Sequence, residues 1–349
     1  MGTRRYVRFL AVLVTCLGIA SRSAAGLDPA KALTQYAHGS WHVADGLPQD
    51  NVVSIAQTPD GYLWLGTEEG LVRFDGLKFT TFDKSNTPEM KSNDIYALLA
   101  DQMGNLWIGT GGGGVLRMTQ GKFVAFTTQS GLSNDSVLSL CEGPDHSIWI
   151  GTEGGGVNRF KDGKFNVYTA HTGLPDDSVY SIAAAKDGSV WFGTGGGLSQ
   201  LKDGSFRNFN VQQGLPNKNV RAVFEDRDGT LWVGTNGGGL CQFRGGQFRT
   251  FTTKDGLSSD AVFSVYQDKE GTLWIGTVGG GVNRWRNGKF TPYKTAPDNA
   301  RQDIWAFLQD REGTLWICTG DGLSQLRDGQ ATTYSSVEGL SSDIVLPIF

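Results

Sequence analysis

Seven tryptophans, Trp64, Trp107, Trp149, Trp191, Trp232, Trp274 and Trp316, each follow Leu, Ile or Val and precede an aliphatic residue or Phe, with Gly-Thr next in six of the seven. Their separations are 43, 42, 42, 41, 42 and 42 residues. A period near 42 held over seven units is that of four-stranded propeller blades; a heptad or a two-helix repeat does not fit it. An isolated unit of this kind cannot bury its own apolar faces, so the units must stack around an axis. The sequence therefore predicts an all-β chain, a β-propeller of seven four-stranded blades.

One unit resolves into four strands. Twelve residues before each Trp stands Val52, Ile95, Val137, Val179, Val220, Val262 or Ile304, and two residues later comes Ser or Ala. This is the expected inner strand, with small side chains where the blades converge. Gly lies three residues before the Trp in every unit but one, where His146 takes its place, and it marks a hairpin into the Trp strand. A glycine cluster, as at residues 111–114, then supplies positive φ for a second reversal. Asp162-Gly163, Asp203-Gly204, Asn287-Gly288 and Asp328-Gly329 are strong hairpin signals leading to an outer strand such as residues 164–168. Residues 33–41 align with an outer strand ahead of the first blade. Residues 339–345 begin an eighth inner strand, so the propeller of residues 26–349 is expected to end inside a repeat.

Composition agrees with many tight turns between aromatic strands: 50 Gly stand beside 10 Trp and 19 Phe, against 10 Pro. The net charge of −4, with no basic run, argues against a nucleic-acid partner. Residues 1–25 have the pattern of a signal peptide: Arg4, Arg5 and Arg8, an apolar run at 9–20 and the small residues Ser23-Ala24-Ala25. That predicts a periplasmic or extracellular protein. Cys141, Cys241 and Cys318 fall in three different units, so no disulfide framework is implied. Cys318 stands where other units have glycine and is expected to be a small packing residue.

These features resemble the two-component regulator propeller repeat family, the periplasmic sensor portion of bacterial hybrid histidine kinases and related signalling proteins. The resemblance covers roughly residues 33–349 and is most specific in Trp41-His42-Val43-Ala44-Asp45-Gly46-Leu47-Pro48, Gln57-Thr58-Pro59-Asp60-Gly61-Tyr62-Leu63-Trp64-Leu65-Gly66-Thr67 and Gly70-Leu71-Val72-Arg73-Phe74-Asp75-Gly76. It implies a sensor propeller followed, in the family, by an immunoglobulin-like domain, a membrane span and an output domain, none of which is expected within residues 1–349. It also implies a small oligosaccharide ligand, a homodimer of the sensor-kinase kind, and membrane attachment only through downstream segments.

Candidate sites were sought on the face carrying both the glycine turns and the Gly-Leu segments, because propeller strands are occupied by packing. Non-repeated residues there are Glu68, Glu69, Glu153, Asn236 and Asp321. Fourteen residues before each Trp stands Asp50, Asn93, Asp135, Asp177, Lys218, Asp260 or Gln302, a ring beside the channel mouth. Such residues either cap local backbone, the favoured reading, or contact ligand hydroxyls. Arg73, Arg117, Arg159, Gln200, Gln242, Arg284 and Gln325 recur in the third strand and are expected to cover blade edges with their long stems. Residues 109–114 match a dinucleotide glycine pattern, but a strand follows instead of the required helix. Four scattered His and no Cys-x-x-Cys or His-Glu-x-x-His predict no metal and no cofactor. A sensing propeller ranks first, an exported protein-interaction scaffold second, and a propeller glycosidase or lyase, which would need paired carboxylates, third.

Overall fold

The structure, a computed structural model, describes residues 26–293 and 303–328. Each unit folds as its turns dictate; in blade 3 the strands are Val137–Glu142, Ile148–Thr152, Val157–Lys161 and Lys164–Tyr168, in antiparallel order from axis to rim. At the third turn Asp162 and Gly163 take φ of +51° and +76°, the mirror-image geometry that suits a two-residue hairpin. The Trp strand is buried along its whole length in all seven blades, because neighbouring blades cover both of its faces. Seven such sheets form the ring, a seven-bladed propeller.

Repeated residues of the Trp strand have separate packing reasons. A Cβ on Gly151 would stand 2.7 Å from the Val179 carbonyl oxygen of the next blade, and one on Gly234 2.8 Å from that of Val262, so the blades approach too closely there for a side chain. Blade 7 has Cys318 at this position, fully buried in a cluster with Val52 of blade 1. Burial raises the Cys318 thiol pKa and pushes those of Cys141 and Cys241 up to about 11, as expected of packing residues rather than nucleophiles. The threonine closes the glycine turn: Thr67, Thr110, Thr152, Thr194, Thr235, Thr277 and Thr319 each donate Oγ1–H to a carbonyl three or four residues on, at 2.7–3.0 Å. Along the third strand, the Arg73, Arg117 and Arg159 guanidiniums lie over Tyr62, Trp107 and Trp149 at 4.6, 5.7 and 5.8 Å, covering blade edges as anticipated.

The ring is closed by the amino-terminal segment. Strand β1, Ala37–Trp41, pairs antiparallel with Gly322–Arg327 and becomes the outer strand of blade 7. It is shorter than the sequence predicts: Leu33–Gln35 forms a 3-10 turn. Leu33 and Tyr36 are pulled instead into the blade 6–7 core beside Trp274 and Leu315, and the Tyr36 hydroxyl donates to Asp28 O at 2.6 Å. An ion pair between Lys31 and Asp328 ties the same segment to the end of blade 7. The expected signal peptide, Gln302 and the start of an eighth repeat lie outside the described residues. Among those residues no helix is long and apolar enough to cross a membrane.

Candidate ligand site at the channel mouth

In blades 2 to 7 the inner strand carries a register shift between the repeated Val or Ile and the small residue two positions on. The residue between them, Tyr96, Leu138, Tyr180, Arg221, Phe263 or Trp305, is left out of the ladder. A bulge re-aims its extra side chain, and on the innermost strand the direction away from the partner is toward the axis. Val53 holds the equivalent position in blade 1.

These side chains meet across blade boundaries. The Arg221 guanidinium carbon lies 3.8 Å from the centre of the Tyr180 ring and 5.3 Å from that of Phe263. Phe263 packs edge-on against Trp305 at 5.8 Å, and Trp305 Nε1 donates to Asn51 Oδ1 at 2.9 Å. Asn51 Nδ2 in turn donates to Glu68 Oε1 at 3.2 Å, while Gln49 Nε2 donates to Glu68 Oε2 at 3.0 Å. A continuous arc from blade 4 to blade 1 therefore runs Tyr180, Arg221, Phe263, Trp305, Asn51, Glu68. On the other side of the mouth stands Tyr96, 37% exposed. Burial raises its phenol pKa, and the charges of Asp94, Glu153 and Glu68 push in the same direction. The arc is thus mostly aromatic with a single cation, Arg221, and ends in the acceptor Glu68.

Of the residues singled out by sequence, Glu68, Glu153 and Asn236 occupy equivalent positions just after the Gly-Thr of blades 1, 3 and 5, and all are exposed. Glu153 Oε2 accepts from Ser136 Oγ at 3.0 Å, and the Asn236 carbonyl accepts from Asn217 Nδ2 at 2.8 Å. Glu69 and Asp321 are equivalent to each other in the short turns of blades 1 and 7, where each amide donates to the turn threonine. Glu69 borders an open cleft of about 680 Å³ with Val43, Asp50 and Asp83, which Gln49 and Asn51 of the arc also line.

The polar ring fourteen residues before the tryptophans turns to the backbone. Asp50, Asn93, Asp135, Asp177 and Asp260 each accept, through Oδ1, a loop amide seven or nine residues earlier, at 2.6–3.0 Å. The main-chain carbonyls of Asp50, Asp135, Asp177 and Asp260 also accept glycine amides from the preceding blade. These residues staple adjacent blades. Lys218 cannot accept such a bond and is exposed. The bulged ring was not found from sequence, although aromatics at four of its seven positions were the available signal.

Seven segments, residues 46–69, 89–112, 131–154, 173–196, 214–237, 256–279 and 300–321, match the family profile described as two component regulator propeller. No curated protein sequence matches the chain. The extracellular domain of a protein described as a hybrid two component system from B. thetaiotaomicron superposes with a TM-score of 0.75 at 27% identity, over 84% of this chain and 42% of that one. The extracellular domain of a protein described as a one component system from the same organism gives 0.67 at 22%, over 84% and 40%. The chain thus spans 42% and 40% of the lengths of these two relatives. A virginiamycin B lyase from Staphylococcus aureus gives 0.66 at 19%, over 84% and 99%, a likeness of fold alone.

Proposed function

The chain belongs to the two component regulator propeller family, and from that premise we propose that it is the extracytoplasmic sensing propeller of a two-component or similar signalling protein, with an oligosaccharide bound at the channel mouth. The observation that carries this reading is the bulged ring, which puts Tyr96, Tyr180, Phe263 and Trp305 at one level around the axis. Sugar rings present apolar C–H faces and a rim of hydroxyls. Aromatic faces suit the first, and the amide and carboxylate oxygens of Asn51, Glu68 and Glu153 suit the second.

Sensing is favoured over hydrolysis by how the carboxylates are held. Both Glu68 oxygens are engaged by side-chain amide donors, Gln49 Nε2 and Asn51 Nδ2, whereas glycoside hydrolysis needs a pair of carboxyls free to face the scissile bond. The extracellular placement of the two B. thetaiotaomicron relatives and the amino-terminal export pattern support an extracytoplasmic location.

Calorimetric titration of the purified chain with a panel of soluble di- to tetrasaccharides tests the proposal. At least one should bind, and Trp305→Ala combined with Phe263→Ala should weaken it about tenfold or more, equivalent to ~1.4 kcal/mol. Unchanged affinity in that double variant would remove the channel mouth as the site, and hydrolysis of a bound sugar would replace sensing with catalysis.

A further inference from the structure

Among the bulged residues of the mouth Arg221 alone is charged, and its surroundings leave the charge unanswered. Its planar faces are covered by Tyr180 and Phe263. Stacking of this kind fixes the guanidinium plane and leaves its edge, with the N–H donors, for in-plane partners. None of the ion pairs among the described residues includes Arg221. Its Nε is buried without a hydrogen-bond partner, and so is the Oδ1 acceptor of Asn219 two residues earlier on the same blade. Buried polar atoms normally have partners. Lys218, exposed on the same blade, adds a second cation.

We infer that the sugar bound at this mouth carries a carboxylate, as a uronic acid does, held edge-on by Arg221. The inference rests on the sensor reading above. A carboxylate matches the guanidinium edge with two parallel N–H···O bonds.

Galacturonate and glucuronate oligosaccharides of two to four residues, each titrated beside its methyl ester, separate charge from shape. The wild-type chain should bind an acid at least tenfold more tightly than its ester. Arg221→Met, which keeps the stem between the two rings, should weaken the acid far more than the ester and so abolish the preference, while Arg221→Lys should retain part of it. Thermal unfolding within a few degrees of wild type would show that the Met variant is folded. Equal binding of acid and ester by the wild-type chain, or discrimination surviving in Arg221→Met, overturns the inference while leaving the sugar site standing. If no acid, ester or neutral sugar binds, the sensor reading falls as well.

Discussion

Blades 5, 6 and 7 hold the repeated tryptophan by a buried carboxylate, and blades 3 and 4 do not. Trp232, Trp274 and Trp316 donate Nε1–H to Asp226, Asp268 and Asp310 at 2.7–2.8 Å, and the other oxygen of each carboxylate accepts an amide of its own hairpin. Blade 2 does the same through Asp101, and blade 1 substitutes the Thr58 hydroxyl. In blades 3 and 4 the corresponding residues are Gly143 and Ala185. There the working carboxylate lies two residues later. Asp145 and Asp187 accept from Ser147 and Ser189 at 2.6 Å and pair with Lys161 and Lys202 at the surface, Asp145 also with Arg159. One hairpin shape is thus fixed by two kinds of physics, desolvated hydrogen bonds or a solvated ion pair. Beside Trp191 an open cleft of about 430 Å³ is bordered by Ala185, Arg227 and Phe243, and clefts of about 390 and 380 Å³ lie beside Trp232 and Trp107, where the carboxylate is present.

The sharpest way to break this comparison is to remove a carboxylate from each class. Asp268 and Trp274 are both 0% exposed. Asp268→Ala strands the indole N–H and the Thr272 amide in the core, and at about 1–3 kcal/mol for a stranded buried donor the expected loss is about 3 kcal/mol. Asp187→Ala breaks an exposed ion pair and should cost less than about 1 kcal/mol. Urea unfolding of both variants measures the contrast, and equal losses would mean that burial does not divide the blades as described.

Addition of a carboxylate is the complementary test. Ala185→Asp places the acceptor of blades 5 to 7 beside Trp191. The expected gain is about 1 kcal/mol, the net value of one more internal hydrogen bond. A loss would mean that the blade 4 hairpin has relaxed into a shape that no longer admits the buried pair.

What the sequence made legible divides along similar lines. The tryptophans, the Gly-Thr pairs and the Asp-Gly and Asn-Gly turns recur because every blade imposes the same packing on them, so strand order and most strand bounds followed. The six-residue spacing from Asp101 to Trp107 or Asp268 to Trp274 was equally periodic, but as turn chemistry it gave no hint of the indole bond. Leu33 and Tyr36 sit in a segment aligned with a strand, yet burial between blades 6 and 7 outweighed local preference. The channel mouth was least legible. Its residues change from Val53 to Arg221 to Trp305 at one register position, so repetition hides them, and no residue type marks the bulge that turns them to the axis. The ring from Asp50 to Asp260 was visible as a ring, but only hydrogen-bond geometry shows its side chains on loop amides.

Blade 3 differs from the others in one more respect. Its hairpin places His146 at φ +60°, where the other six blades have glycine. A side chain in the left-handed region costs about 1–2 kcal/mol, and the surface contact of His146 Nδ1 with Glu142 Oε1 at 2.8 Å offsets part of it. His146→Gly should therefore stabilise the chain by about 0.5–1 kcal/mol in the same urea assay. No gain would show that the Glu142 contact compensates in full.

The smallest expected effect is one of pH, and its sign differs between the two classes. The Lys202 hydrogen bond, with those of Ser189, holds the Asp187 carboxyl down at about 2. A depressed carboxylate favours the folded state above its unfolded value near 4 and loses that advantage as pH falls toward 2. Burial raises the Asp268 and Asp310 carboxyls despite their indole and amide donors. Their proton is held more tightly when folded, so they oppose folding as pH rises above the ordinary carboxylate range. Urea midpoints of wild type and Asp187→Asn should therefore differ at pH 5 and converge toward pH 2, by a small amount because Asp187 is half exposed. Midpoints of wild type and Asp268→Asn should instead change relative to one another above pH 4, with wild type losing ground as pH rises. A constant offset across the whole range in both comparisons would mean that neither carboxylate contributes through its charge, and the division between buried and surface pairing would then be one of shape alone.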